Sequence, residues 1–314
     1  FRHAILIMTS NLGAEALLAL GEDEDIGHAR LEVMDAVRKA FRPEFLNRLD
    51  DVLIFGRLGR DDMARIVDIQ LARVNARLAD RGISLVADEA APGNRLLRLS
   101  AHTDGTGPGT EQVQLCHARK YLNGTYAARV RYDSSRAGDA LVQAFYTAAP
   151  LRFDYDPEYS ELDWEYLPYG GWDVAQPRLY SVSWQTVRIK PWDSYNASHE
   201  EFGFLTGWHV LVTQVADGHV RWFLDGREVA LHGGRNHPVV PMAISFSDWF
   251  IREGPFAKSD APRVYQEDVD WVFHAQDRVL SPAQVEAAVR DYRQRGVARV
   301  DEVPASGLES RCDL

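Results

Sequence analysis

Only two of the 314 residues are cysteine, Cys116 and Cys312. That excludes a disulfide framework and a four-cysteine zinc site. It leaves two unrelated thiols, or one disulfide tying the C-terminal tail to the body, which would imply an oxidising compartment. Basic residues are in deficit, 35 Lys and Arg against 46 Asp and Glu, for a net charge of −11. Phosphate binding needs a basic face, so no nucleic-acid partner is expected. No apolar run approaches the roughly 18 residues of a membrane-spanning helix, so no membrane role is expected. The ten histidines are scattered, with no HExxH, and a catalytic metal centre is not expected. Gly-Lys occurs nowhere, so no GxxxxGK[ST] phosphate cradle exists. Tryptophan and tyrosine are absent from residues 1–120, whereas the remainder holds eight Trp and twelve Tyr. Such asymmetry predicts two domains of different origin.

What is present divides the same way. In residues 1–91, His3–Thr9 (HAILIMT) and Val52–Phe55 read as short buried strands of a parallel sheet. Val33, Met34, Val37 and Phe41 have helical spacing. Met63, Ile66, Val67, Leu71, Val74 and Leu78 recur at steps of three and four before Gly82, which predicts an amphipathic helix. Ile83–Val86 reads as one more strand, so this half is α/β. From about Leu96, short alternating strands are separated by Gly, Pro, Asp and Asn, as in an antiparallel sandwich. Asp217-Gly218 and Asp225-Gly226 read as hairpin turns. A last helix starts at Ser281-Pro282, with Gln284 completing a capping box. Ala91-Pro92-Gly93 is the expected join, giving domains 1–91 and 92–314. The opening residues offer no cleavage site and no initiating Met, so the chain reads as truncated at its N-terminus rather than as led by a signal peptide.

Two stretches of the first half are specific: MTSNLG at Met8–Gly13, and FRPEFLNRLDD at Phe41–Asp51 followed by VLIF. With the helix after Arg60, they resemble the second ATPase module of ClpB-type AAA+ unfoldases over about residues 1–91. The resemblance implies that Asn11 is the sensor that positions the attacking water. It implies that Arg48 is the finger that stabilises charge on a neighbour's phosphoryl group. Yet the phosphate cradle is missing, no apolar strand ends in the Asp-Glu that would hold Mg²⁺, and the second sensor arginine is absent. ATP binding is therefore not expected, and Asn11 and Arg48 are read as non-functional remnants. A fragment lacking most of its sheet should also leave apolar surface exposed.

In the second half, Ser160–Pro168 reads SELDWEYLP. Strand side chains alternate faces, so Glu161, Asp163 and Glu165 share one face, and Leu162, Trp164 and Tyr166 share the other. Glu161 and Glu165 lie roughly 13 Å apart at the backbone, and side chains can lean together toward the about 5–5.5 Å that a retaining glycosidase needs. Like charges so close raise at least one pKa. Glycoside hydrolysis uses that split, one carboxylate attacking and one carboxyl holding a proton. The alternative is a solvated acidic face that discourages edge pairing.

ELDWE fits Glu-(Ile/Leu)-Asp-x-Glu, and this segment resembles glycoside hydrolase family 16, the endo-β-glucanase group. GTYAARV (124–130), WHVLVTQVADGHVRWFLDGREV (208–229), PMAISFSDWF (241–250) and VDWV (269–272) follow in that family's order, over about residues 95–280. The resemblance implies a mainly β, concanavalin A-like antiparallel jelly-roll sandwich preceded by the partial α/β fragment. It implies Glu161 as nucleophile, Glu165 as acid/base and Asp163 as assisting carboxylate. It also implies a polysaccharide partner lined by Trp184 and Trp249, with Phe145 and Tyr146 where the family usually has Trp. Trp164, Trp222 and Trp271 are expected in the core. No cofactor is expected, although the resemblance allows a structural Ca²⁺ that nothing in the sequence localises. The glucanase-like half would be extracellular, and the unfoldase-like half cytoplasmic. The alternatives to an enzyme are a non-catalytic carbohydrate-binding sandwich and an inactive ClpB-type chaperone fragment.

Overall fold

The computed structural model describes residues 7–21, 25–56, 58–132, 138–252 and 261–310. Cys312 and residues 3–6 of the first expected strand lie outside them. The chain divides into two compact units, Phe1–Arg73 and Val74–Leu314.

In the first unit the helices are α1 (Ala14–Leu18), α2 (Arg30–Ala40) and α3 (Pro43–Leu46). The helix α4 (Arg60–Leu78) contains the division point. Gly13 caps α1 with φ 76°, and a Cβ there would meet the Val33 backbone at 2.8 Å, which lets α1 and α2 approach closely. Neither expected strand forms among the described residues: Ile7–Thr9 and Val52–Phe55 are irregular. A strand needs a ladder partner, and the described residues of this unit contain none. Ile7, Leu31, Leu53 and Phe55 are exposed as a result, and Ala29 and Val33 are the buried apolar residues found there. The helix predicted from Met63 to Leu78 forms, but Met63, Val67 and Val74 of its apolar stripe remain exposed.

The second unit holds the strands β1 (Ile83–Ala87), β2 (Arg95–Thr103), β3 (Val113–Cys116), β4 (Gly124–Arg131), β5 (Leu141–Ala148), β6 (Glu161–Leu167), β7 (Arg178–Arg188), β8 (Asp193–Phe202), β9 (Trp208–Ala216), β10 (His219–Leu224), β11 (Arg227–His232), β12 (Ala243–Phe250) and β13 (Arg263–Gln276), then helix α5 (Pro282–Gln294). They form two antiparallel sheets, ordered β1-β2-β13-β4-β9-β10-β11 and β3-β12-β5-β6-β7-β8. The fold is thus a mainly β, two-sheet sandwich. Strand β1, read from the sequence as part of the α/β half, pairs with β2 from Ile83↔Leu99 to Ala87↔Arg95. Ala91-Pro92-Gly93, read as the join, lies in the connection between these two strands.

One apolar cluster fills the space between the sheets. Tyr126, Leu211, Trp222 and Tyr265 come from the seven-stranded sheet, and Phe145, Leu162, Trp164 and Phe246 from the other. Trp164 meets Trp222 edge-on at 5.0 Å, and its indole N–H donates to Thr213 Oγ1 at 2.9 Å, so burial leaves no polar atom orphaned on that ring. Trp271 packs in a second cluster with Val285 of α5. The two hairpin turns form as read, with Asp217-Gly218 and Asp225-Gly226 at positive φ. The capping box of α5 is complete, Gln284 N donating to Ser281 Oγ and Ser281 N donating to Gln284 Oε1.

Candidate active site

Core burial fixes the register of β6. Leu162, Trp164 and Tyr166 enter the inter-sheet cluster, and a one-residue slip would drive the acids into it instead. Glu161, Asp163 and Glu165 therefore project from the outer face of the six-stranded sheet. They line an open cleft of about 400 Å³. Cross-strand pairing builds the rest of the floor. Glu161 faces Ala148 and Trp184, Asp163 faces Tyr146 and Val182, and Glu165 faces Ala144 and Tyr180. One strand further, Ala243, Ser245 and Ser247 of β12 continue the same face. Four small side chains beside the acids, Ala144, Ala148, Ala243 and Ser245, leave room above the sheet where larger residues would fill it.

The structure brings the three acids, Tyr146, Trp184 and Trp249 to this face. Tyr146 and Trp249 line the cleft. The Trp184 indole N–H donates to Asp163 Oδ2. Phe145, by contrast, turns inward and stacks on Phe246. Asn11 and Arg48 are exposed residues of the first unit.

The acids shift one another. Asp163 is buried, and Glu161 and Glu165 are half-buried. Burial pushes Glu161 up to about 7, opposed by a hydrogen bond from the Tyr159 hydroxyl. Burial, reinforced by the charge of Glu161, pushes Glu165 up to about 8. Asp163 is raised well above the carboxylate range by burial, then by both neighbours. Such a constellation ionises as a coupled set, with a proton retained on it near neutral pH.

Several residues around the site escaped the sequence reading. Tyr159 has the same parity as Glu161, and that signal could have found it. Gln114 of β3, which donates to the Tyr146 hydroxyl, enters from 47 positions before Glu161 with no local signal. Trp172 is half-exposed, 5.7 Å from the Tyr180 ring and 6.1 Å from Trp249. It sits at φ 48° and Asp173 at φ 67°, both left-handed. The buried Arg178 holds that loop, donating to the carbonyls of Gly171 at 2.7 Å and Val174 at 3.1 Å. Trp192 stands edge-on to Trp184 at 6.1 Å and is exposed.

No group of three or more His, Cys, Asp or Glu placed to hold a metal occurs among the described residues. No described helix is long and apolar enough to cross a membrane. Cys116 is disulfide-bonded.

Comparison with known proteins separates the two halves. Residues 1–52 match the family described as AAA domain (Cdc48 subfamily), and residues 58–93 match the C-terminal, D2-small domain of ClpB protein. The chaperone protein ClpB of Mesorhizobium japonicum is 57% identical over 91 residues, which is 29% of this chain and 10% of the relative. That of Rhizobium meliloti is 55% identical over the same length. The chain thus spans about a tenth of the curated relatives it matches. Structural similarity extends over a larger share of the chain. A Bacillus licheniformis β-glucanase aligns over 61% of this chain and 82% of its own at 15% identity and a TM-score of 0.41. A Bacteroides ovatus family 16 enzyme in complex with a mixed-linkage glucan product aligns over 62% and 85% at 12% identity and a TM-score of 0.45. A κ-carrageenase from Pseudoalteromonas carrageenovora gives 14% identity and a TM-score of 0.41. The family models thus match the N-terminal segment alone.

Proposed function

We propose that the two-sheet sandwich is a retaining glycosidase that cleaves within β-linked glucans or related polysaccharides. One observation carries this reading: three carboxyl groups on one strand face, ionically coupled, line an open cleft with aromatic rings on its borders. Sugar C–H faces pack on such rings. The Tyr159 hydroxyl donates to Glu161, which favours its ionised form, and burial favours the protonated form of Glu165. Glu161 attacks the anomeric carbon while Glu165 gives its proton to the departing oxygen. The resulting glycosyl–enzyme ester is hydrolysed by water that Glu165, now the base, deprotonates. Asp163, between them and held by Trp184, shares charge with both. An extracellular site of action belongs to this proposal, and the disulfide at Cys116 suits an oxidising compartment.

The test is incubation of the whole chain with a panel of β-glucans and galactans, reading product chain length. Products shortening from within the polymer are expected. Glu161→Gln should lose at least about 10⁴-fold in rate while still binding polysaccharide. A 2-deoxy-2-fluoro glycoside should leave its mass on the Glu161 peptide. Binding by the wild-type chain without hydrolysis would replace this reading with that of a non-catalytic carbohydrate-binding sandwich. ATP binding forms no part of the proposal. Titration of Mg-ATP into the chain should show no saturable binding, because the phosphate cradle is missing.

A further inference from the structure

The three acids differ in what donates to them. Glu161 accepts a hydrogen bond from the Tyr159 hydroxyl. Asp163 accepts one from the Trp184 indole. Glu165 accepts none among the described residues. It faces Ala144 on one neighbouring strand and the Tyr180 ring on the other. A donor favours the ionised form of the carboxylate it touches, so the two outer acids are not equivalent even before substrate arrives.

Tyr159 is well placed to hold this asymmetry. It lies two residues before Glu161 on the same face and lines the cleft. Its backbone is anchored on both sides. Tyr159 N donates to the Asp156 carbonyl at 3.1 Å. The next residue, Ser160, is fully buried, and its hydroxyl accepts from the backbone N–H groups of Val239 at 2.9 Å and Val240 at 3.3 Å. Asp156 is itself held by a bidentate Arg152, at 2.7 and 2.6 Å. The ring therefore has little freedom to swing from Glu161. Its hydroxyl also keeps its proton, since burial and the charge of Glu161 raise it well above the usual phenol value. The titratable groups facing Glu161 are Asp163 and Glu165 on its own strand, Tyr146 on β5, and Tyr159. Strand β12 offers Ala243, Ser245, Ser247 and Trp249 to this face, none of them titratable, and the β7 residue opposite is Trp184.

We propose that Tyr159 is a positioning residue that selects Glu161, rather than Glu165, as the ionised carboxylate of the site and fixes the oxygen that reacts. The inference rests on the glycosidase reading above, and it names the device that would divide the roles of the two outer acids.

The test is Tyr159→Phe, which keeps the ring and removes only the donor. Side-chain ¹³C NMR of labelled glutamate follows the Glu161 titration directly, whether or not the chain hydrolyses anything. In the variant the Glu161 midpoint should rise by about one pH unit, and the Glu165 midpoint should change less. With a hydrolysed substrate, the acid limb of kcat/KM should move to higher pH by a similar amount. The value of kcat should fall about tenfold with KM within twofold, because an orienting contact to the nucleophile acts on the chemical step. An unmoved Glu161 midpoint in a folded Tyr159→Phe chain overturns the inference while leaving the glycosidase reading standing. An inactive wild-type chain whose Glu161 still shifts on substitution sinks the glycosidase reading instead, and keeps the electrostatic role of Tyr159.

Discussion

The two units were written with the same kind of apolar pattern, and only one of them buries it. In the first, Leu53 and Phe55 alternate as a buried strand would, and Met63 and Val67 stand at helical spacing. All four are exposed. In the second, Leu162, Trp164 and Tyr166 repeat the alternation and are almost completely buried. The difference is a partner surface. Strand β6 has β5 and β7 at its sides and the seven-stranded sheet across the core. The apolar runs of the first unit have no described strand beside them. Periodicity states which face could be buried, and a second layer decides whether it is.

The sharpest way to break this comparison is to truncate one aromatic in each unit. Trp164→Ala removes a side chain that fills the core against Trp222 and leaves the Thr213 hydroxyl without its donor. It should destabilise the sandwich by about 3–5 kcal/mol, read as a shift in the urea midpoint at unchanged slope. Phe55→Ala, at 79% exposure, should change stability by no more than about 0.5 kcal/mol in the same measurement. A loss near that of Trp164→Ala would show that the first unit has a core of its own.

The candidate site offers a second contrast, within the sandwich itself. Most carboxylates of this unit that hold a partner are stabilised as anions. Asp156, gripped by Arg152, is lowered to about 2. The acids of β6 go the other way, because burial in the cleft floor penalises their charge and neighbouring acids add to this at Asp163 and Glu165. A carboxyl whose folded pKa is raised binds more protons folded than unfolded. Its contribution is complete below the unfolded value, near 4.3–4.5, and is lost as pH rises through the folded value. The buried His232 and His274, lowered to about 4, act oppositely, adding stability between about pH 4 and 6.5. Above pH 6.5 these histidines no longer contribute, and the raised carboxyls are the acid set and the buried Glu267, which a change at Glu165 leaves in place. The urea midpoint should decline from pH 6.5 to 8.5 in the wild-type chain and decline less in Glu165→Gln, which cannot ionise. Equal slopes in the two chains would mean that the acids are solvated well enough to ionise freely.

The same contrast explains how much the sequence disclosed. Strand parity alone put the acids on one face and Trp164 in the core, because β6 is flanked on both sides and its alternation is strict. The hairpin turns and the capping box were legible because each is a local arrangement of a few residues. Tyr159 went unread, although it shares the parity of Glu161 and that signal could have found it. Gln114, Arg178 and Trp172 were not legible. Their roles depend on which distant strand lies alongside β6 and how a loop is pinned to β7, and a single sequence does not encode such pairings locally. Strand β1 misled for a related reason. Its apolar run is ambiguous about its neighbours, and it joined the seven-stranded sheet through β2 rather than an α/β layer.

The smallest expected effect tests the exposed surface of the first unit. Leu53 is 72% exposed and Phe55 79% exposed, two and four residues after Asp51 and with no ladder partner among the described residues. An apolar, β-prone tetrapeptide of this kind is a template for pairing with other chains. Leu53→Ser with Phe55→Ser removes the apolar edge and touches no buried contact. Folding stability should stay within about 0.5 kcal/mol, while light scattering of concentrated chain should fall. If scattering is unchanged and the sandwich loses stability, these two residues are covered in solution, and the contrast between a filled core and an unfilled one ends at this segment.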